Sequence, residues 1–184
     1  MIQKIFDKFI VFFKSFKFIK TKNIREKKIY IKVNSSIELW RSRTYETKEP
    51  ETLDWIDSFK KNEIFYDIGA NIGIYSLYAA KKKNRVYSFE PASNNFSSLL
   101  KNIEINKLNI RSYGIALSNK EGISNLNLVS TVEGDSQHNL NKNQMIYSRK
   151  FKFEQGIFST SLDNLIHKYS FPFPNHIKID VDGH

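Results

Sequence analysis

The 184-residue sequence contains no cysteine. Disulfides, thiolate zinc sites and cysteine nucleophiles are thereby excluded, and a reducing compartment such as the cytoplasm is the expected location. Long apolar runs are also missing. The first twenty residues, MIQKIFDKFIVFFKSFKFIK, are rich in phenylalanine, but their longest uninterrupted apolar run is residues 9–13, too short to span a bilayer. No small-residue cleavage site accompanies this stretch, and Asp7 lies inside its apolar part, so it does not read as a secretory signal. There is no Gly-Lys-Ser/Thr of a P-loop, no NPPY-type amide motif and no internal repeat.

What is present is a basic, aromatic-rich chain. The net charge is +10, with 40% apolar and 14% aromatic residues, enough to bury a core in one domain. Most of the positive charge is lysine spread along the whole chain, rather than arginine clustered with aromatics, so nucleic acid is disfavoured as a partner. At the N-terminus, Ile2, Ile5, Phe6, Phe9, Phe12, Phe13 and Phe16 fall near one helical face, with Lys4, Lys8, Lys14, Lys17 and Lys20 around it. This predicts a basic amphipathic helix over residues 1–24. It either touches a membrane surface through residues 1–20 or docks on its own domain.

Residues 25–60 read as a β-hairpin followed by a lead-in helix. KIYIKV and IELW, separated by NSS, form the predicted hairpin over residues 28–40, and ETLDWIDSFK the helix over 51–60. From residue 61 the pattern changes. EIFYDI, RVYSFE and NIRSYGIAL read as strands, with IGIYSLYAAKKK and ASNNFSSLLKNIEINK as helices between them. That is half of a doubly wound, Rossmann-like α/β sheet. ISNLNLVS and FKFEQGIF are further strands, and residues 131–150 a polar loop that includes Asp135 and His138. STSLDNLIHKY is a helix capped by Ser159 or Thr160. The apolar strand of PFPNHIKIDVDGH ends in acids. A doubly wound sheet ordinarily continues past such a strand, so further strands are expected beyond residue 184.

The first strand runs directly into a glycine turn, FYDIGANIGIYSLYAA. Such a turn presents backbone N–H groups and the positive end of a helix, and Gly69 and Gly73 are expected to let a ligand approach the backbone. The dinucleotide fingerprint G-x-G-x-x-G is not met, because Asn71 stands where its second glycine belongs. Asp67, two residues before Gly69, would repel a pyrophosphate but suits a ligand with an ammonium or sulfonium group. Glu90, at the end of the next strand in FEP, suits a pair of ribose hydroxyls. Together the two acids and the turn point to a nucleoside without a phosphate requirement, as in S-adenosyl-L-methionine.

In order, FYDIGANIGIYSLYAA, VYSFEP, ALSNKEG, TSLDNLI and IKIDVDGH resemble the FkbM-type methyltransferase family from about Glu63 to the end of the chain. The resemblance implies a class I S-adenosylmethionine-dependent fold and methyl transfer, usually to a hydroxyl oxygen. It implies that Asp67, Gly69, Ala70, Asn71 and Gly73 form the methionine-side loop, that Glu90 and Pro91 face the ribose, and that Ala116 and Leu117 lie near the adenine. Asp180 and Asp182 would face the methyl group or the acceptor, although the family often has Glu at the position of Asp182. A hydroxyl acceptor needs a base. His184 has the best unperturbed pKa for that role, and Asp180 is assigned to positioning. No metal is expected, since carboxylates at alternate strand positions point to opposite faces. The acceptor implied is a small molecule or glycan hydroxyl on a sugar, glycolipid or secondary metabolite. A nucleic-acid methyltransferase and a non-catalytic nucleotide- or membrane-binding module are the alternatives.

Overall fold

The computed structural model describes residues 18–140 and 149–181. Most of the predicted N-terminal helix and the C-terminal Asp182 and His184 therefore lie outside the described residues. The predicted strand–helix alternation forms a four-stranded parallel sheet. Its strands in chain order are β3 (Ile64–Ile68), β4 (Arg85–Phe89), β5 (Ile110–Tyr113) and β10 (His176–Ile179). Helix α3 (Ile74–Lys81) crosses from β3 to β4, and α4 (Ser93–Asn106) from β4 to β5, as parallel pairing requires. The strand order is β10-β3-β4-β5. The chain thus moves outward from β3 in one direction and returns to the other side of β3 with β10. That reversal opens a crevice at the carboxyl ends of β3 and β10.

The two faces of this sheet differ. Phe65 and Val86 pack with Leu77, Tyr78 and Ala79 of α3 in the main core. The opposite face carries Tyr66, Ile68, Tyr87 and Phe89 against Leu165, with Tyr113 and Phe171 alongside. Leu165 belongs to α5 (Leu162–His167), whose N-cap is Ser161, accepting from the Asn164 backbone N–H at 3.1 Å. The expected caps, Ser159 and Thr160, instead close the strand β9 (Phe153–Thr160).

Before the sheet, the predicted hairpin is corrected. Strand β2 (Lys27–Val33) exists, but its antiparallel partner is β1 (Phe18–Ile24). The helix expected over 1–24 is therefore not helical in residues 18–24. Arg25 and Glu26 both have positive φ (41° and 70°), the turn that matches strand twist in a two-residue hairpin. IELW lies in α1 (Ser36–Lys48). The NSS segment is a helix cap: the Ser35 hydroxyl accepts from the Glu38 N–H at 3.0 Å, and the Glu38 carboxylate accepts from the Asn34 N–H. This is a variant of the reciprocal Ser-x-x-Glu cap. Helix α2 (Pro50–Asp57) follows, with Pro50 in its first turn. The free edge of β2 is covered by α4. Asn102 and Asn106 accept from the Lys32 and Tyr30 N–H groups at 2.8 and 2.9 Å, so the β2 edge of the hairpin is not left open.

A second four-stranded sheet, ordered β6-β9-β7-β8, contains β6 (Ala116–Leu117), β7 (Gly122–Leu128) and β8 (Asn139–Leu140). The predicted third strand is thus split, β5 staying in the parallel sheet and β6 leaving it. Among the described residues no helix is long and apolar enough to cross a membrane.

Candidate functional site

The turn after β3 is held by the sheet itself. The Gly69 and Ala70 N–H groups donate to the Phe89 carbonyl at 2.9 and 3.0 Å. Gly69, Asn71 and Gly73 all have positive φ. The expectation that the glycines make room for a ligand needs correction. A Cβ on Gly69 would collide with the Asp180 carbonyl, and one on Gly73 with the Leu99 side chain. The glycines admit β10 and α4, and so bring the tips of β3 and β10 together.

Glu90 closes β4. Its carboxylate accepts from the Asn71 N–H at 2.7 Å and the Ala92 N–H at 2.9 Å, which ties the glycine turn to the end of β4. Burial pushes the Glu90 carboxyl up to about 7, against the pull of those two N–H groups.

Asp67 lies beneath the turn, 1% exposed. Its carboxylate accepts from the Ser76 hydroxyl at 2.6 Å and stands 3.9 Å from the Lys178 ammonium. Burial raises its pKa, opposed by Lys178 and the Ser76 hydroxyl. Asp180 follows β10, with its N–H donating to the Ile68 carbonyl and its carboxylate accepting from Lys178 at 3.0 Å.

Residues 132–135 form a strap whose four successive carbonyls are each taken by a side chain. Asn94 donates to the carbonyl of Val132, Ser35 to that of Glu133 and Arg41 to that of Gly134. Asn71 and Asn95 both donate to that of Asp135, at 3.0 and 2.9 Å. Asp135 itself is buried. Against the upward push of burial, Arg149, Ser130 and the Ser136 N–H hold its carboxyl down at about 2. The solvated loop expected at Asp135 and His138 is thus a docked wall.

These pieces surround one cleft at the switch between β3 and β10. Of the predicted residues, Gly69, Asn71, Glu90, Pro91, Ala116, Leu117 and Asp180 line it. Ala70 lines a smaller cavity that shares Gly69, Asn71 and Asp180 with the cleft. Asp67 and Gly73 line neither. Arg41 and Lys48 of α1, Asn95, Asp135 of the strap and His138 just after it were not anticipated there. For α1, the Ser35-x-x-Glu38 cap was a readable signal; for the strap there was none, because asparagine spacing carries no direction.

Strand order, switch-point cleft and glycine turn define a Rossmann-like α/β domain. Residues 67–184 match the methyltransferase FkbM domain family, and the chain belongs to that family. It is 26% identical over 154 residues to the hexuronic acid methyltransferase AglP of Haloferax volcanii, a match covering 83% of this chain and 59% of that protein. The chain thus spans about three fifths of that relative's length. Two solved structures show slighter likenesses. Pyrococcus abyssi tRNA (uracil-54, C5)-methyltransferase, in complex with S-adenosyl-L-homocysteine, is 16% identical, with 52% of this chain and 23% of that one covered and a TM-score of 0.36. The M. jannaschii tRNA m1G37 methyltransferase is 13% identical, with 59% and 37% covered and a TM-score of 0.37. Neither likeness is strong enough to bear on fold or activity.

Proposed function

We propose that this chain is the donor-binding part of an S-adenosylmethionine-dependent O-methyltransferase whose acceptor is a hydroxyl of a sugar, glycolipid or secondary metabolite. The observation that carries the reading is the family match over residues 67–184. That span includes the glycine turn, Glu90 and the β10 tip, which meet at one cleft. The donor set suits the cofactor. Glu90 offers carboxylate lone pairs to vicinal hydroxyls. Ile115, Ala116, Leu117 and Leu140 supply an apolar wall for a flat base, and Asp180 supplies a half-exposed carboxylate for a cationic end. The hexuronic acid acceptor of the relative supports the sugar class.

When bound, S-adenosylmethionine supplies an electrophilic methyl group. The protein's task is then alignment, a proximity effect. In this reading Glu90 and the Asn71 backbone fix the nucleoside end, Asp180 orients the reacting end, and the strap narrows access of water from one side. A sugar hydroxyl attacks only as its proton leaves. His184, outside the described residues, is assigned as the base that takes that proton, and Asp182 is the other candidate for that role.

The test is a thermal melt with S-adenosylhomocysteine, NAD or ATP. A ligand at a hundred times its Kd stabilises by about 2.7 kcal/mol. The expected result is a shift with S-adenosylhomocysteine alone, lost in Glu90→Ala. A cooperative melt that S-adenosylhomocysteine leaves unmoved would overturn the donor reading.

A further inference from the structure

Lys178 has no role in the alignment just described, yet it is only 9% exposed. It stands in register with Asp67 across the β10–β3 pair. Its ammonium donates to the Asp180 carboxylate at 3.0 Å, lies 3.9 Å from Asp67 and sits 5.0 Å from the centre of the Tyr75 ring. Burying an ammonium is costly unless it is compensated, and an apolar side chain would fill the same place beside α3 more cheaply. What the lysine adds is charge arithmetic. Two carboxylates share one ammonium, which leaves a single net negative charge. Asp67 is sealed from the cleft, whereas the Asp180 side chain is 58% exposed and lines both cavities. The net charge is therefore displayed at the cleft through Asp180.

The other charged groups around the smaller cavity are Arg41, Lys48 and Glu49. Lys48 and Glu49 pair at 3.0 Å and offset one another. Arg41 bonds the strap through Gly134 and sets its charge against Glu90. Neither arrangement cancels the charge at the β10 tip.

We propose that Lys178 is a positioning residue that holds the Asp180 carboxylate at the cleft, so that the site prefers a cationic sulfonium donor to its neutral thioether product. The inference rests on the donor reading and deepens it: one net negative charge attracts the molecule before methyl transfer and not the one after, which favours product exchange.

The experiment is calorimetric titration with two probes. S-adenosylhomocysteine is neutral at sulfur, and sinefungin carries an amine, protonated at neutral pH, in the sulfonium's place. The readout is the ratio of their Kd values. Wild-type protein is expected to prefer sinefungin by about tenfold or more, the usual scale for one opposite charge at close range. Asp180→Asn should bring the ratio close to one. Lys178→Met should lower it severalfold, because buried Asp67 then takes up a proton and no charge is gained, while Asp180 loses its tether. Lys178→Arg should keep the wild-type ratio. An unchanged or increased ratio in Lys178→Met overturns the proposal. So does an unchanged ratio in Asp180→Asn, a variant at an exposed side chain that keeps the test decisive if Lys178→Met does not fold. Failure of wild-type protein to bind either probe overturns the donor reading itself. Binding of both with an unmoved ratio in the variants overturns the Lys178 proposal alone.

Discussion

The two faces of the parallel sheet are built from alternate residues of the same strands, yet they do different things. On the face away from α3, Tyr66, Tyr87 and Phe89 pack ring against ring with Tyr113 and Phe171. On the α3 face, one level of the sheet carries Lys178, Asp67, Ser88 and Ser112 in register across β10, β3, β4 and β5. The Ser76 hydroxyl of α3 bridges the middle of that row, 2.6 Å from Asp67 and 2.7 Å from Ser88. Below this level the same face is apolar, with Phe65, Val86 and Ile110 in the core. A buried polar row costs stability relative to an apolar one. Its placement directly under the glycine turn shows where the fold gives up packing energy to bring charge near the cleft.

The comparison can be broken first at Tyr66. Tyr66 and Asp67 are neighbours in sequence on opposite faces, both nearly unexposed. Tyr66→Ala removes a large ring and the hydrogen bond its hydroxyl donates to the Pro172 carbonyl at 2.6 Å. It is expected to cost about 3–5 kcal/mol in a urea unfolding titration. Whatever fraction remains folded should bind S-adenosylhomocysteine with wild-type Kd, because Tyr66 touches neither cavity. A Kd raised tenfold in folded Tyr66→Ala protein would mean the aromatic face also shapes the cleft.

The next effect is smaller and depends on pH. The Glu90 carboxyl is pushed from 4.5 up to about 7 by burial. Between those values the folded protein keeps a proton that the unfolded chain has released, so Glu90 makes stability fall as pH rises through that window and level off above it. The size is on the order of 3 kcal/mol. Asp135, held near 2, gives a contribution of opposite sign that is already complete below this window. Unfolding free energies measured from pH 4.5 to 8 should therefore slope downward more steeply in wild-type protein than in Glu90→Gln. Parallel curves for the two proteins would remove Glu90 as a titrating group.

The contrast between the faces also explains which parts of the molecule could be read in advance. Strands β3 and β4 and helices α3 and α4 announce themselves through local alternation, helical spacing and the glycine turn, and with them come Glu90 and the approximate site. What escaped depends on contacts far apart in sequence. Gly73 looks like room for a ligand until Leu99 of α4 is seen to fill it. The residues of α1 look like a strand and a polar linker because only three of them are buried, two of those being the polar Glu38 and Ser42. The strap depends on asparagines 71, 94 and 95 reaching carbonyls at 132 and 135, and nothing in local sequence directs an asparagine to one carbonyl rather than another. Lys178 is similar: in IKIDVDGH it reads as one more surface lysine, and only the register with Asp67 places it in the interior.

The smallest expected effect tests whether the polar row is a working unit or only a pattern. At its charged end Lys178, Asp67, Ser76 and Ser88 lie next to one another, with hydrogen bonds from Asp67 through Ser76 to Ser88. Lys178 makes a charge contact of 3.9 Å with the other Asp67 oxygen, which accepts no hydrogen bond among the described residues. At the far end the Ser112 hydroxyl is buried and makes no hydrogen bond among the described residues. Removing a buried hydroxyl that has no partner sacrifices no bond and relieves a desolvated group. Ser112→Ala should therefore change stability by less than about 0.5 kcal/mol, in either direction. Ser88→Ala takes a partner from Ser76 and should cost about 1 kcal/mol. Equal losses in the two variants would mean that Ser112 is tied into the row after all, and that the polar level runs across all four strands. Unequal losses would confine the row's function to β10, β3 and β4, the three strands whose ends border the glycine turn.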